Sequence, residues 1–553
     1  MMPASATLTA TPSPSPTETS IPTATASATP TPLPRLIRIA LPATWADYGP
    51  QLAGFFARQG TYHLSVGTVA DPAQAAQACA EGRADLALYE GHLPLTGLVA
   101  YPYQWKRLAA VVSFTTPLER VSSDTLRSLF QGDDQVRSRL GIKGALSWDA
   151  RGLEILGLSR QSGVELLPAE DLLKRVEKNK SLLALLPYAA ISPAVRALRI
   201  DGLRPGDEGY GLVYQAAVLV RPDPLVQALA AELAALLRAE LPPEGEEILL
   251  AVVGDVMLAQ TVGETIVRHG PAYPFAAVRS LLTKADLTLG NLECAISERG
   301  EAARKAYTFR APPAAADGLR DAGFDLLNLA NNHTLDYGPL ALRDTLERLA
   351  AAGIKTVGAG MSEAEAHVPV FMSVKGLRLA FLGYADYPTE SGTGFQAKAF
   401  VAVGNKPGIA WAEPERIRTE VAAAKRQADL VMVSLHSGYE YRNLPNEFQR
   451  RAAHAAIEAG ASLVWTHHAH TWQGVEFYQG GVIFYGLGNF VFDQEPTNDT
   501  AVAYLYLDRR GVRQVELWPA VIEKNGCPVP ANEAQGRAIL DRIYYLSEGL
   551  RAP

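Results

Sequence analysis

Leu329-Ala330-Asn331-Asn332-His333-Thr334-Leu335-Asp336-Tyr337-Gly338 is the stretch on which the fold turns. Ahead of it runs Phe324-Asp325-Leu326-Leu327-Asn328, mostly apolar and short enough for a buried strand. Behind it, residues 340–352 carry apolar side chains at helical spacing. Asn331, Asn332 and His333 are therefore expected in a turn at a strand end, where polar side chains converge on a ligand. An Asn amide oxygen is a hard metal ligand, and a neighbouring His can donate a proton to a leaving oxygen. The plainer alternative is a loop that caps the next helix, because Asn is common in caps and turns.

Four more strands repeat the pattern. Residues 248–253 are fully apolar and lead into Gly254-Asp255, and residues 285–290 lead into Asn291-Leu292-Glu293. Residues 429–435 end at His436, and residues 461–465 end at Thr466-His467-His468-Ala469-His470. Five strands each ending in an acid, an amide or an imidazole place chemistry at the carboxyl edge of an α/β sheet. Asp255, Glu293, Asn332, His436, His468 and His470 together supply two carboxylates, one amide oxygen and three imidazoles. Such a mixed N/O set suits one or two ions of Mn, Fe or Zn and lacks the all-oxygen shell that Mg or Ca prefers. A carboxylate such as Glu293 or Asp255 can bridge two ions about 3.5–4 Å apart, the spacing that activates water and clamps an ester oxygen. Of the chain's 10 histidines, five are His333, His436, His467, His468 and His470. Core histidines would not gather at strand ends in this way.

Composition bounds the remainder. The 553 residues suffice for two to four domains, and 48% hydrophobic with 20% charged residues is ordinary for globular cores. A net charge of -7 without any Lys/Arg-rich run gives no footprint for nucleic acid. Cys79, Cys294 and Cys527 lie far apart and form neither a metal-ligand pair nor a disulfide framework. No apolar run approaches the ~18 residues of a membrane span. Residues 1–34 are almost all Thr, Pro, Ser and Ala and read as a disordered spacer or stalk. Spacers of this kind follow an anchor in secreted bacterial proteins. An extracytoplasmic, envelope-associated location is therefore expected, with a signal or lipid anchor encoded upstream; a cytosolic protein with a low-complexity tail is the alternative.

Residues 35–240 alternate strands and helices and read as an α/β domain with a mainly parallel sheet. Arg83-Ala84-Asp85-Leu86-Ala87, Phe114-Thr115-Thr116-Pro117-Leu118 and Leu185-Leu186-Pro187-Tyr188 resemble stretches of type 2 periplasmic solute-binding domains of the phosphate-binding branch. That resemblance implies an α/β fold and a possible small solute, but names no ligand residue. Residues 241–247 form a proline-broken linker, 248–520 a second domain, and 521–553 a helical tail with an amphipathic helix at about 531–546.

Within the second domain, six motifs follow one another in order. They are Gly254-Asp255-Val256-Met257-Leu258, Asn291-Leu292-Glu293, Ala330-Asn331-Asn332-His333 with Asp336-Tyr337-Gly338, His436-Ser437-Gly438-Tyr439-Glu440-Tyr441, His467-His468-Ala469-His470, and Tyr485-Gly486-Leu487-Gly488-Asn489-Phe490-Val491-Phe492-Asp493. They resemble the bacterial CapA (poly-gamma-glutamate capsule biosynthesis) family, which is similar in fold to calcineurin-like metallophosphoesterases. The resemblance covers about residues 248–495. It implies a four-layer αββα core, two mixed sheets face to face between helices. It also implies metal ligation by Asp255, Glu293, Asn332, His436, His468 and His470, with His333 as proton donor beside Asp336. His467, Glu440 and Asn489 fall in the same motifs as candidate substrate-binding residues.

Met257 departs from general phosphoesterases, which carry a His there; a thioether cannot replace it for a hard ion. The segment 384–411 is a candidate substrate loop with Lys398 and Lys406 available to an anionic chain. The function expected is synthesis, export or anchoring of an anionic envelope polymer, with a metal-dependent, phosphoesterase-like hydrolase site. Its partners would be the polymer or a phosphoester and an envelope polymer-synthesis complex. The alternative is a catalytically inactive binding or scaffold protein whose N-terminal domain captures a solute.

Overall fold

A computed structural model describes residues 35–92, 95–158, 163–241, 247–390, 392–493 and 497–550. The Thr/Pro-rich spacer and residues 242–246 of the linker lie outside them. Alternating strands and helices in the N-terminal part build one continuous sheet, mixed rather than mainly parallel, because Val213–Val220 runs antiparallel to both its neighbours and Val99–Ser113 runs antiparallel to Leu182–Pro187. Its strand order is Tyr62–Val69, Arg35–Pro42, Leu86–Gly91, Val213–Val220, Val99–Ser113, Leu182–Pro187, Gly144–Ser147 and Glu165–Leu166. The long strand Val99–Ser113 serves two lobes. Residues 99–107 pair with Val213–Val220, and residues 108–112 pair with Leu182–Pro187. Separate apolar clusters fill the lobes, one around Phe56 and Leu233, another around Leu129 and Leu185.

From residue 248 onward the chain forms two sheets packed face to face. The first runs Lys355–Val357, Phe324–Asn328, Leu287–Leu292, Ile248–Val256, Asp499–Asp508, Gly511–Ile522 and Pro528–Pro530. The second runs Val370–Val374, Leu377–Asp386, Leu430–Ser437, Leu463–His467, Gly481–Phe484 and Val475–Tyr478. Between them Leu250, Val252, Leu289 and Leu326 of one meet Leu379, Phe381, Met432 and Trp465 of the other. The outer face of the first sheet packs on helices Gln260–His269, Ala315–Ala322 and Gly338–Ala351 through Val262, Leu319 and Leu342. Helices Pro414–Lys425 and Glu447–Glu458 cover the second through Ile417, Val421 and Ala453. Helix, sheet, sheet, helix is the four-layer arrangement the motifs imply.

The central strands Ile248–Val256, Leu287–Leu292, Leu430–Ser437 and Leu463–His467 are buried almost throughout and begin as apolar runs because both faces are covered, as expected for buried parallel strands. A glycine is required at one close approach. A Cβ on Gly254 would lie 1.9 Å from the Gly488 carbonyl oxygen, so only glycine lets the short strand Asn489–Val491 sit beside Asp255.

The two parts of the chain share a seam. Phe114 makes edge contacts with Phe477 at 5.1 Å and Tyr544 at 5.5 Å, and it belongs to the apolar cluster between the two C-terminal sheets. Buried Arg196 donates to the Tyr544 hydroxyl and to the Thr116 and Leu118 carbonyls. Tyr544 lies on the C-terminal helix Glu533–Leu550, longer than the residues 531–546 anticipated and wedged between both parts.

Candidate functional site

Register brings the strand-end residues into rows. In the first sheet Asn489 lies opposite Asp255, Asp255 opposite Asn291, and Asn291 opposite Asn328. In the second, His436 lies opposite His467. The rows face each other where the two sheets end, so side chains far apart in sequence share one buried volume. Asp255, Glu293, His436 and His467 are fully buried, and Asn332, His333, His468 and His470 nearly so.

Two candidate ligand sets form there. Glu293, His436 and His468 each place one donor atom within 4.8 Å of the others, and so do Asp255, Glu293 and His470. Glu293 belongs to both. His436 Nε2 faces the Asn332 amide oxygen at 2.8 Å, and His436 and His468 rings lie 4.8 Å apart. His470 Nδ1 is 2.8 Å from Asn489 Oδ1 and 3.7 Å from Asp255 Oδ2. Neither ring nitrogen of His468 has a hydrogen-bond partner at 3% exposure. Burying an unpaired polar group is costly unless a ligand completes it. These donor types therefore fit a divalent transition metal.

Electrostatics follow from burial and crowding. Burial works against the Asp255 carboxylate. The imidazoles of His467, His436 and His470 outweigh it and hold the carboxyl well below its usual range. Burial also drives His436 well below an ordinary histidine, helped by His468 and opposed by Asp255. His468 is pushed down to about 3 by burial and by His470. Neutral imidazoles are the form in which histidine ligates a metal.

Asn331 and Asn332 do not cap the following helix. Gly338–Ala351 begins without a side-chain cap. Asn331 instead donates to the Leu292 carbonyl at 2.8 Å and accepts from the His333 N–H at 3.0 Å, which fixes the turn. His333 Nδ1 lies 2.6 Å from Asp336 Oδ2, and its ring packs on Phe309 with centroids 4.3 Å apart. Burial lowers the His333 pKa, with Asp336 opposing.

A cavity of about 570 Å³ opens over Asn332 and His468, lined further by Tyr387, Glu390, Tyr439, Glu440 and Arg442. Glu440 thus stands at the mouth. His467 and Asn489 lie behind the ligand sets instead: His467 Nδ1 is 3.4 Å from Asp255 Oδ1, and Asn489 braces His470. Lys398 and Lys406 do not line the cavity. Lys398 lies over the Trp411 ring, and Lys406 donates to the Ala399 carbonyl. Met257 is fully buried, its sulfur 3.2 Å from the Ala259 N–H.

Sequence patterning passed over the amide network behind the ligands. Asn291 Nδ2 donates to Asp255 Oδ1 at 2.8 Å and lies 3.3 Å from Glu293 Oε2. Its Oδ1 accepts from Asn328 at 2.9 Å and Asn331 at 3.1 Å. It also passed over Lys305, whose side chain is fully buried beside Asp336. Asn291 carried a signal, standing two residues before Glu293 at a strand end. Lys305 carried none, since residues 298–309 have no periodicity.

An α/β sandwich with a buried cluster of side chains able to ligate a metal at its strand ends is the class this chain falls into. Residues 249–494 match the family described as bacterial capsule synthesis protein PGA_cap. The PGA biosynthesis protein CapA of Bacillus subtilis (strain 168) is 35% identical over 297 residues, covering 53% of this chain and 76% of that protein. The capsule biosynthesis protein CapA of Bacillus anthracis is 34% identical over 311 residues, covering 54% and 73%. The chain belongs to this bacterial capsule synthesis family. Over its N-terminal part it is similar to the crystal structure of an ABC-type phosphate transport receptor from Vibrio cholerae. That similarity has 18% identity and a TM-score of 0.32, over 37% of this chain and 94% of that one.

Proposed function

We propose that this chain is a cell-envelope protein in the synthesis, export or anchoring of an anionic capsule polymer of the poly-glutamate kind. We further propose that its strand-end cluster is a metal-dependent hydrolase site. The relatives named for capsule and PGA biosynthesis support the first part. No described helix is long and apolar enough to cross a membrane.

One observation carries the second part: two buried donor sets share Glu293, with every donor atom of a set within 4.8 Å of the others. Glu293, His436, His468 and Asn332 would hold one ion of Mn, Fe or Zn. Asp255, Glu293 and His470 would hold a second. An ion held there supplies Lewis acidity toward a scissile phosphoester or amide and toward water. His333, oriented by Asp336, moves a proton at Nε2. The cavity over Asn332 and His468 admits the substrate, with Glu440 and Arg442 at its rim.

Met257 favours a second reading, a binding or scaffold protein without turnover whose N-terminal part captures a solute. A thioether committed to the Ala259 N–H brings no hard ligand to the site. Elemental analysis of the purified protein, with the Asp255→Ala/His468→Ala variant beside it, separates the two. One or two equivalents of Mn, Fe or Zn, lost in the variant, are expected. Turnover of phosphodiesters and of poly-gamma-glutamate with Mn should then fall ~10²–10⁴-fold in His333→Ala. Protein that takes up no metal on reconstitution, or that shows no difference between wild type and His333→Ala on any substrate, would overturn the hydrolase reading.

A further inference from the structure

Lys305 lies in an irregular segment outside every motif, yet its side chain is fully buried. Burying an ammonium is expensive unless it is paired and fully hydrogen-bonded. Its surroundings meet that requirement. Nζ donates to Asp336 Oδ1 at 2.8 Å and to the Asn332 main-chain carbonyl, and it lies 3.9 Å from Glu390 Oε1. The rings of Phe395 and Phe400 close over it at 5.3 and 5.5 Å. One ammonium therefore touches the turn that carries Asn332 and His333, the acid behind His333, and the loop that roofs the cavity.

Asp336 is surrounded by donors. Lys305 Nζ occupies Oδ1, while Oδ2 accepts from the Phe309 N–H at 2.8 Å and faces His333 Nδ1 at 2.6 Å. A carboxylate so placed accepts only, so the proton of that last contact sits on His333 Nδ1, which leaves Nε2 as the unprotonated nitrogen. Lys305 itself lies 3.5 Å from His333 Nδ1, and two donors cannot bond each other. Its ammonium therefore reaches His333 through Asp336. The same ammonium pins the Asn332 carbonyl, while the Asn332 side chain presents Oδ1 to His436.

We infer that Lys305 is a positioning residue of the candidate site. Held between Asp336 and the Asn332 carbonyl, it fixes which nitrogen of His333 carries the proton and where Asn332 holds its amide oxygen. The inference deepens the hydrolase reading and rests on the same site. It differs in making the roof loop part of the machinery, because Glu390, Phe395 and Phe400 meet the same ammonium.

The test uses the full chain with Lys305→Met and Lys305→Arg. With ¹⁵N-histidine labelling at fixed pH, and His333→Gln to assign the signal, wild type should show His333 protonated at Nδ1. Lys305→Met should lose that single tautomer and Lys305→Arg should restore it. Mn affinity, read by titration, should weaken ~10–100-fold in Lys305→Met and recover in Lys305→Arg, the size seen when groups behind metal ligands are removed. If the protein turns over an ester, kcat should fall by a similar factor with KM little changed. A folded Lys305→Met protein with the wild-type tautomer and wild-type Mn affinity would overturn the inference. Should Lys305→Met fail to fold, Lys305→Gln, which removes the charge and shortens the side chain, carries the same comparison and the same refutation. Absence of turnover in wild type would remove the hydrolase reading alone; tautomer and Mn affinity would still decide the role of Lys305.

Discussion

Asn291 offers the sharpest test of how the site is held. Its amide is fully buried and fully used: Nδ2 points at Asp255 and Glu293, and Oδ1 receives Asn328 and Asn331. Asn291→Ala deprives two carboxylate oxygens of a donor and leaves one N–H on each of the other two asparagines without its acceptor. At about 1 kcal/mol or more for each buried group left unsatisfied, the metal-free protein should lose ~3–5 kcal/mol. Asn291→Asp keeps the acceptor for Asn328 and Asn331. It sets a third carboxylate against Asp255 and Glu293, where the present contacts are 2.8 and 3.3 Å. Without metal, Asn291→Asp should therefore be at least as destabilised as Asn291→Ala, through like-charge repulsion. Adding Mn should reverse the order, because an ion neutralises crowded carboxylates and cannot replace lost hydrogen bonds between amides. Urea titrations of both variants, with chelator and with saturating Mn, read this directly. Equal losses in the two variants, unmoved by Mn, would refute the claim that Asn291 serves the ligand carboxylates.

Metal-free protein should also weaken in acid. His436 and His468 are buried neutral, with His468 held down to about 3, whereas an unfolded histidine takes up a proton near 6.5. The unfolded chain then binds more protons than the folded one, so stability is full above about pH 6.5 and falls as pH drops toward 3. His468 alone should contribute about 2 kcal/mol between pH 8 and pH 5, seen as a falling urea midpoint that His468→Gln flattens. At the seam, Arg196→Met strands the Tyr544 hydroxyl and two carbonyls among apolar side chains. It should split one thermal transition into two and expose the junction to limited proteolysis; a single unshifted transition would contradict a shared seam.

Much of the site was legible because its residues follow apolar runs, and an apolar run ending in a polar residue needs no knowledge of its partner strand. Phe324–Asn328 was read to the residue. The other strand ends ran two to three residues longer than their apolar cores, since Asp255, Asn291, His436 and His467 themselves belong to the ladders. What stayed hidden depends on register between distant strands. The pairing of Asn291 with Asn328, and of Asp255 with Asn489, is set by sheet order rather than by local spacing. The consecutive histidines show the same limit. His467 ends a strand and points behind the site, whereas His468 turns into it through a backbone φ of +85°. Lys305 was invisible for a related reason, because an aperiodic loop reveals a buried cation only once its carboxylate is in place. The lysines that did stand out, Lys398 and Lys406, are turned toward a ring and a main-chain carbonyl.

His468 at φ +85° and His470 at +54° both occupy the left-handed region. A side chain other than glycine there costs on the order of 1–3 kcal/mol, and the packed sheets around the loop meet that cost. Glycine would release it. Variants recovered solely for heat resistance should therefore drift toward glycine at 468 and 470, growing hardier as they discard the proposed metal ligands. In this family member, durability and chemistry would be selected in opposite directions at the same two positions.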